Sequence, residues 1–391
     1  MGKAAGTTIG NAPSSPAPGA EAAASQVSAS KAPSSTGSAG SGSGERRLRW
    51  RTAEEDESGT LFPVGVLADR HVGTGEYRGM EFLHVNARQI INEVPASNRM
   101  PFRYTINAYR GCSHACTYCF ARPTHEYLGL DIGADFERRI VVKVNAVERL
   151  RAELRSRRWS GDHIAMGTNT DPYQKAEGKY HLTRRIIEVL GEAGNSFSIL
   201  TKSTLVLRDL ALLSGVATDG EADVRLNLSI GTLSREVWRL TEPGTPPPDQ
   251  RINAVRRLNE AGIPCGVLIA PVLPGLSDSD EQLRSVARAC VEAGAVSVSP
   301  ITLHLRPGVR DHYLGWLRGA RPDLIGLHEE RFARGAYQPE REQRRVTEVV
   351  LEAVDEAGGC RTTRSLPSRS AMARPSGTVR ADLSVEQLRL L

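Results

Sequence analysis

The chain is predicted to be an α/β protein built from parallel strand–helix units. Three observations predict it. Short apolar strands alternate with helices six times between residues 103 and 301. Each repeat runs roughly 30–40 residues, the length of one βα unit. The densest chemical motif falls directly after the first strand, where βα folds carry their chemistry. Parallel strands joined by right-handed crossovers close into either an open doubly wound sheet or a barrel.

The elements follow in order. "RYTINAY" (103–109) is a strand that ends at a group of cysteines. Val144, Val147, Leu150 and Leu154 then recur at helical spacing and share one face. "HIAMGT" (163–168) is a short apolar strand, and Leu182, Ile186, Leu190 and Ala193 make the next helical stripe. "SFSILTK" (196–202) is a strand, and "TLVLRDLALLSG" (204–215) a helix closed by its glycine. "VRLNLSI" (224–230) alternates as a strand does. "DQRINAVRRLNEAG" (249–262) is a helix ending at Gly262. "IPCGVLIAP" (263–271), "SDEQLRSVARACVEAG" (279–294) and "AVSVSPI" (295–301) complete the series as strand, helix and strand. No Gly-x-Gly-x-x-Gly follows the first strand, so nothing supports a dinucleotide site.

Composition narrows the function. A net charge of +5 over 391 residues is too mild to imply nucleic acid by itself. "RRWSGDH" and "VRRLN" are too scattered to make a phosphate-binding groove. No apolar run approaches the ~20 residues of a membrane helix. The first residues lack a secretory apolar core, and "MGKAAG" lacks the Ser/Thr of a myristoylation signal. The expected location is the cytoplasm, with no membrane partner. Residues 1–45 are mostly Ala, Ser, Gly and Pro, with no aromatic before Trp50. Such a segment buries too little apolar surface to offset its ordering entropy, and it is predicted to be disordered.

Six cysteines in a chain this long are not a disulfide framework. Three of them, Cys112, Cys116 and Cys119, lie within "YRGCSHACTYCFAR" at C-x3-C-x2-C spacing. In a reducing compartment a tight cluster points to metal or redox chemistry. Three thiolates can hold three corners of a cubane iron–sulfur cluster, with a fourth ligand from elsewhere or one iron left open. Zinc is the other candidate, with His114 or His125 supplying a fourth donor. Cys265 alternates with Val267 and Ile269, and Cys290 shares a helix face with Leu283 and Val286, so both are expected in the core. Cys360 has no evident place.

C-x3-C-x2-C with Tyr118 before the last cysteine resembles the signature of the radical SAM superfamily. That resemblance implies a partial (β/α)6 TIM-like barrel. It implies a [4Fe–4S] cluster on the three cysteines and S-adenosylmethionine (SAM) on the open iron. It also implies reductive cleavage of SAM to a 5′-deoxyadenosyl radical. "TNTDPYQ", "ILTKS", "LSIGTL", "TEPGTPPPDQR" and "APVLPGLSD" further resemble the spore photoproduct lyase-like branch, above all its actinobacterial members. The implied domains are a tail (1–45), an extension packing on the barrel (46–99), the barrel (100–302), a C-terminal helical extension (303–360) and a loose basic tail (361–391).

Residues carry over one by one. Tyr118 would lie near the adenine, against simple loop packing. Thr170 and Asp171 would contact the methionine moiety or ribose, against a plain turn role. Lys202, at a strand end, would pair with the cofactor carboxylate. Ser229 would bond the ribose, and Ala270 would approach the adenine through its backbone. Glu242 and Arg251 read as an ion pair clamping a Pro-rich loop. Asn169 stands where the lyase itself has a hydrogen-donating cysteine, which puts dimer repair by that route in doubt. The implied partners are SAM and an external flavodoxin- or ferredoxin-type electron donor, with damaged DNA as a substrate by analogy. Radical modification of a peptide or small molecule, and a non-catalytic zinc-binding nucleic-acid module, are the alternatives.

Overall fold

The computed structural model describes residues 66–95 and 100–359. The expected tails at 1–45 and 361–391, and Cys360, lie outside the described residues. The hairpin of β1 (Val66–Val72) and β2 (Glu81–Asn86) comes first. Strand β3 (Ile91–Glu93) then pairs antiparallel with β4 (Tyr104–Ile106).

Here the structure departs from the strand predicted over 103–109. The chain leaves the main sheet after Ile106, and β5 (Tyr109–Arg110) joins a different one. Its partner is β6 (Arg139–Lys143), which follows the short helix α1 (Ala134–Arg138). β6 in turn runs parallel to β2, giving a four-stranded sheet in the order β1-β2-β6-β5. "RIVVK" was not predicted as a strand; it is apolar without alternation because four of its five residues are buried.

With two short helices that were not predicted, Lys175–Tyr180 and Arg235–Thr241, the remaining elements keep the predicted strand order. They are α2 (Ala146–Leu154), β7 (Ile164–Met166), α3 (Lys175–Tyr180), α4 (Leu182–Glu192), β8 (Phe197–Thr201), α5 (Leu210–Thr218) and β9 (Val224–Ser229). Then come α6 (Arg235–Thr241), α7 (Pro248–Glu260), β10 (Cys265–Val272), α8 (Asp280–Glu292) and β11 (Val298–Thr302). Strands β4, β7, β8, β9, β10 and β11 are consecutive parallel neighbours, with β3 antiparallel at the outer edge. No pairing joins β11 back to the far edge among the described residues. The sheet is therefore an open, partial barrel of six parallel strands.

Local chemistry explains the helices. Ser279 accepts from the backbone N–H of Gln282 and caps α8, the Ser-x-x-Gln pattern of a capping box. Leu283, Val286, Ala287 and Cys290 are its buried face, and a fully buried Leu or Val contributes about 1.5–3 kcal/mol. The helix predicted over 204–215 is a 3-10 turn over Thr204–Asp209 followed by α5. It does not stop at Gly215, where a side chain would meet open space. The break falls at buried Asp209, whose carboxylate accepts from Arg208, Arg184 and Tyr173.

After the barrel come α9 (Val309–Ala320), α10 (Ile325–Arg331) and α11 (Glu340–Glu356). α11 packs on α8 and β11. Tyr313, Leu317 and Phe332, from α9 and the end of α10, join a core cluster with Cys116 and Tyr118. The segment after the barrel thus packs on the cysteine loop. No described helix is long and apolar enough to cross a membrane.

Candidate functional site

The cysteine loop starts where β5 ends and is held from four sides. Gly111 has φ +78°, and a Cβ there would lie 2.8 Å from both His125 Cε1 and the Phe136 carbonyl. The Cys112 N–H donates to that same carbonyl at 2.9 Å. Arg122, wholly buried, donates Nε and Nη2 to the Cys116 carbonyl at 3.0 and 2.9 Å and pairs with Glu137 at 2.6 Å. On the far side the α6–α7 loop presses in: the Thr117 N–H donates to Thr241 O, and the Gly244 N–H to His114 O. At Gly244 a Cβ would sit 2.2 Å from the Ser113 carbonyl, so only glycine allows this approach.

The three thiols are unbridged; Cys112 and Cys116 are buried and Cys119 half-buried. Burial pushes the Cys116 thiol up to about 12 and raises Cys112 and Cys119 as well. Three thiolates here need a cationic centre to stabilise them. Among the described residues the three sulfurs, with or without His114 or His125, do not form a set of donors all within 4.8 Å of one another. Side-chain rotation lets such thiols close on a single zinc ion or on a polynuclear cluster. The two histidines are also engaged elsewhere. His114 Nδ1 lies 3.2 Å from Asp171, and His125 Nε2 contacts the Arg139 carbonyl at 3.0 Å.

Thr170 and Asp171, in the loop after β7, tie this loop to the barrel. The Thr170 hydroxyl donates to Gly111 O at 2.6 Å and accepts from Gln174. The Asp171 carboxylate accepts from the Tyr173 and Lys202 backbone N–H groups and the Thr201 hydroxyl, besides facing His114. Burial would raise its pKa, but His114 and these donors outweigh burial and lower it. Both side chains are fully used by the protein. Beside them Asn169 Oδ1 is buried with no hydrogen-bond partner.

Lys202, Ser229 and Ala270 converge at the carboxyl ends of β8, β9 and β10. The Lys202 ammonium donates to Ser229 Oγ at 2.7 Å and to Ala270 O at 3.0 Å, and lies 3.1 Å from Glu242. It also sits 5.6 Å from the centre of the Tyr118 ring. Glu242 is the hub. It accepts from the Tyr118 hydroxyl and is paired with Arg251, which further donates to Ser229 O at 2.9 Å and Pro246 O at 2.8 Å. Burial alone would raise Glu242, but Arg251, Lys202 and the Tyr118 and Arg251 hydrogen bonds hold it at about 2.

The Glu242–Arg251 clamp is thus present. The bond from Glu242 to Tyr118 and its pairing with Lys202 were missed. No local signal marks them, because the partners come from three separate segments. Phe120, 48% exposed, borders His304 at 5.9 Å, and Cys265 and Cys290 are core residues with no exposure.

Comparison with known proteins adds to this geometry. The profile of the Radical SAM superfamily matches residues 106–287. An uncharacterised protein of Mycobacterium tuberculosis is 44% identical over 270 residues, 69% of this chain and 79% of that protein. One of Methanocaldococcus jannaschii is 31% identical over 201 residues, 51% of this chain and 70% of the other. A double mutant of spore photoproduct lyase, solved with bound AdoMet and dinucleoside spore photoproduct, has a TM-score of 0.50 at 18% identity. The match covers 70% of this chain and 79% of that one and is a likeness of fold.

Proposed function

The chain belongs to the radical SAM superfamily, and on that premise we propose that Cys112, Cys116 and Cys119 hold a [4Fe–4S] cluster whose open iron takes SAM. Bound together, the two supply one-electron cleavage of the sulfonium and a 5′-deoxyadenosyl radical that abstracts hydrogen from a substrate. What this chain contributes is binding, orientation and exclusion of water.

The observation that carries the reading is that Lys202, Ser229 and the Ala270 carbonyl meet at the carboxyl ends of three neighbouring strands, with the Tyr118 ring of the cysteine loop 5.6 Å from the ammonium. An ammonium at strand ends beside the thiols is a partner for a carboxylate, and the carboxylate of SAM is such a group. Lys202 would receive it. Ser229 would bond the ribose, the Ala270 backbone would approach the adenine, and the Tyr118 ring would pack near it. We assign Thr170 and Asp171 to positioning, since their polar atoms hold Gly111, His114 and the end of β8.

The substrate class to test first is damaged DNA, by analogy with the dinucleoside photoproduct bound in the similar fold. Asn169 carries no S–H bond, so the final hydrogen atom would come from another source. The electron would come from an external flavodoxin- or ferredoxin-type donor.

The test is anaerobic reconstitution with iron and sulfide, then dithionite and SAM, with 5′-deoxyadenosine measured. The parent should cleave SAM and Cys116→Ala should not. A parent that takes up tightly held zinc and no iron would overturn the reading.

A further inference from the structure

Away from the cysteines, three side chains converge on the β1–β2 hairpin. Asp69 and His71 are two apart on β1 and therefore share a face, and Asp69 lies opposite His84 on β2. One ligand atom from each residue falls within 4.8 Å of the other two, the one such set among the described residues. We propose that Asp69, His71 and His84 bind a single divalent transition-metal ion of the Zn2+ type.

The donors are already oriented. Asp69 Oδ1 accepts from the Arg70 N–H at 2.7 Å, while Oδ2 lies 2.9 Å from His71 Nε2. The two imidazoles sit with centroids 4.3 Å apart. His84 Nε2 is hydrogen-bonded to the Tyr180 hydroxyl at 2.7 Å. Fixing a ligand histidine through one ring nitrogen is the usual outer-shell arrangement at metal sites. An exposed Asp–His ion pair by itself contributes ~0–1 kcal/mol and gives no reason for a second imidazole against the first.

The geometry and donor types set the ion. Bonds of about 2.0–2.2 Å to nitrogen and oxygen put tetrahedral donors roughly 3.4 Å apart. Donors within 4.8 Å reach that by side-chain rotation, and Asp69 and His71 are exposed enough to rotate. Two imidazoles and a carboxylate suit Zn2+, Co2+ or Ni2+ rather than Mg2+ or Ca2+, which take oxygen ligands. The Lys179 ammonium, 5.2 Å from the Phe82 ring and 5.6 Å from the Tyr180 ring, opposes a cation here, and the Asp69 carboxylate offsets it.

The ion would fasten an edge. β1 is the outer strand of its sheet, and Tyr180 ends α3, the helix after the Thr170–Asp171 loop. Metal binding would join the hairpin edge to that helix.

The test is a Zn2+ titration against a chromophoric chelator, on protein whose iron–sulfur cluster has been reconstituted. The same titration on the C112A/C116A/C119A variant makes the result independent of the cysteine site. Both should take up one zinc per chain. His71→Ala and His84→Ala should lose that zinc, and Tyr180→Phe should weaken it about tenfold, with far-UV circular dichroism unchanged. Co2+ in its place should show visible bands without the intense thiolate charge-transfer absorption. No zinc uptake by the triple-cysteine variant, or equal uptake by the His84→Ala variant, would overturn the proposal.

Discussion

Tyr118 and Glu242, 124 positions apart, share a buried hydrogen bond in which the phenol donates to the carboxylate. The residue before the last cysteine is thereby locked to the residue after α6. Lys202 and Arg251 lean on the same carboxylate, so four segments meet at one charge. Glu242→Gln keeps the shape and removes that charge, leaving buried Arg251 and half-buried Lys202 without it. It should cost about 3 kcal/mol of stability, read from urea unfolding. A midpoint equal to the parent's would show the network to be dispensable.

Lys202→Met keeps the stem and removes the ammonium. A charge-assisted hydrogen bond contributes about 1.5–3 kcal/mol, so SAM affinity should fall at least about tenfold. Equilibrium dialysis on cluster-loaded protein measures it. Unchanged affinity would place the cofactor carboxylate elsewhere.

Gly244→Ala forces a methyl group against the Ser113 carbonyl. Overpacking of this kind costs about 1–3 kcal/mol, and here the strain falls on the cysteine loop. Iron per chain should drop while far-UV circular dichroism stays the same. Full iron loading in the variant would mean that the loops can separate without disturbing the thiols.

Asp209, wholly buried, supplies a pH signature of its own. Burial would raise its pKa, but the Arg208 and Arg184 hydrogen bonds outweigh burial and lower it below 3.8. A depressed folded value gives stability that is present in full above the unfolded value and lost as pH falls through the folded one. Unfolding free energy measured from pH 5 to pH 2 should therefore fall less steeply in Asp209→Asn than in the parent, by at most about 1.36 kcal/mol per pH unit. Identical slopes would contradict the assignment.

Cys265 and Cys290 are sealed in the core. Replacing either by Ala should leave iron per chain unchanged and cost about 1 kcal/mol of stability. A loss of iron would reveal a second role for these thiols.

By itself the sequence determined what is local. Hydrophobic period reports which face of an element is buried, so the six parallel strands and most of their helices could be read from it. The C-x3-C-x2-C spacing puts three donors in one loop whatever the rest of the chain does. Hydrophobic period likewise marked Cys265 and Cys290 as core residues. Only the tertiary structure decided what is non-local. The split of 103–109 between two sheets depends on β6, a partner some 30 residues on. The hub at Glu242 depends on Tyr118, Lys202 and Arg251 arriving from three segments. The set Asp69, His71 and His84 depends on the register of a hairpin. Such contacts are fixed by which strands pair and how loops pack, and the spacing of residues along the chain does not record either.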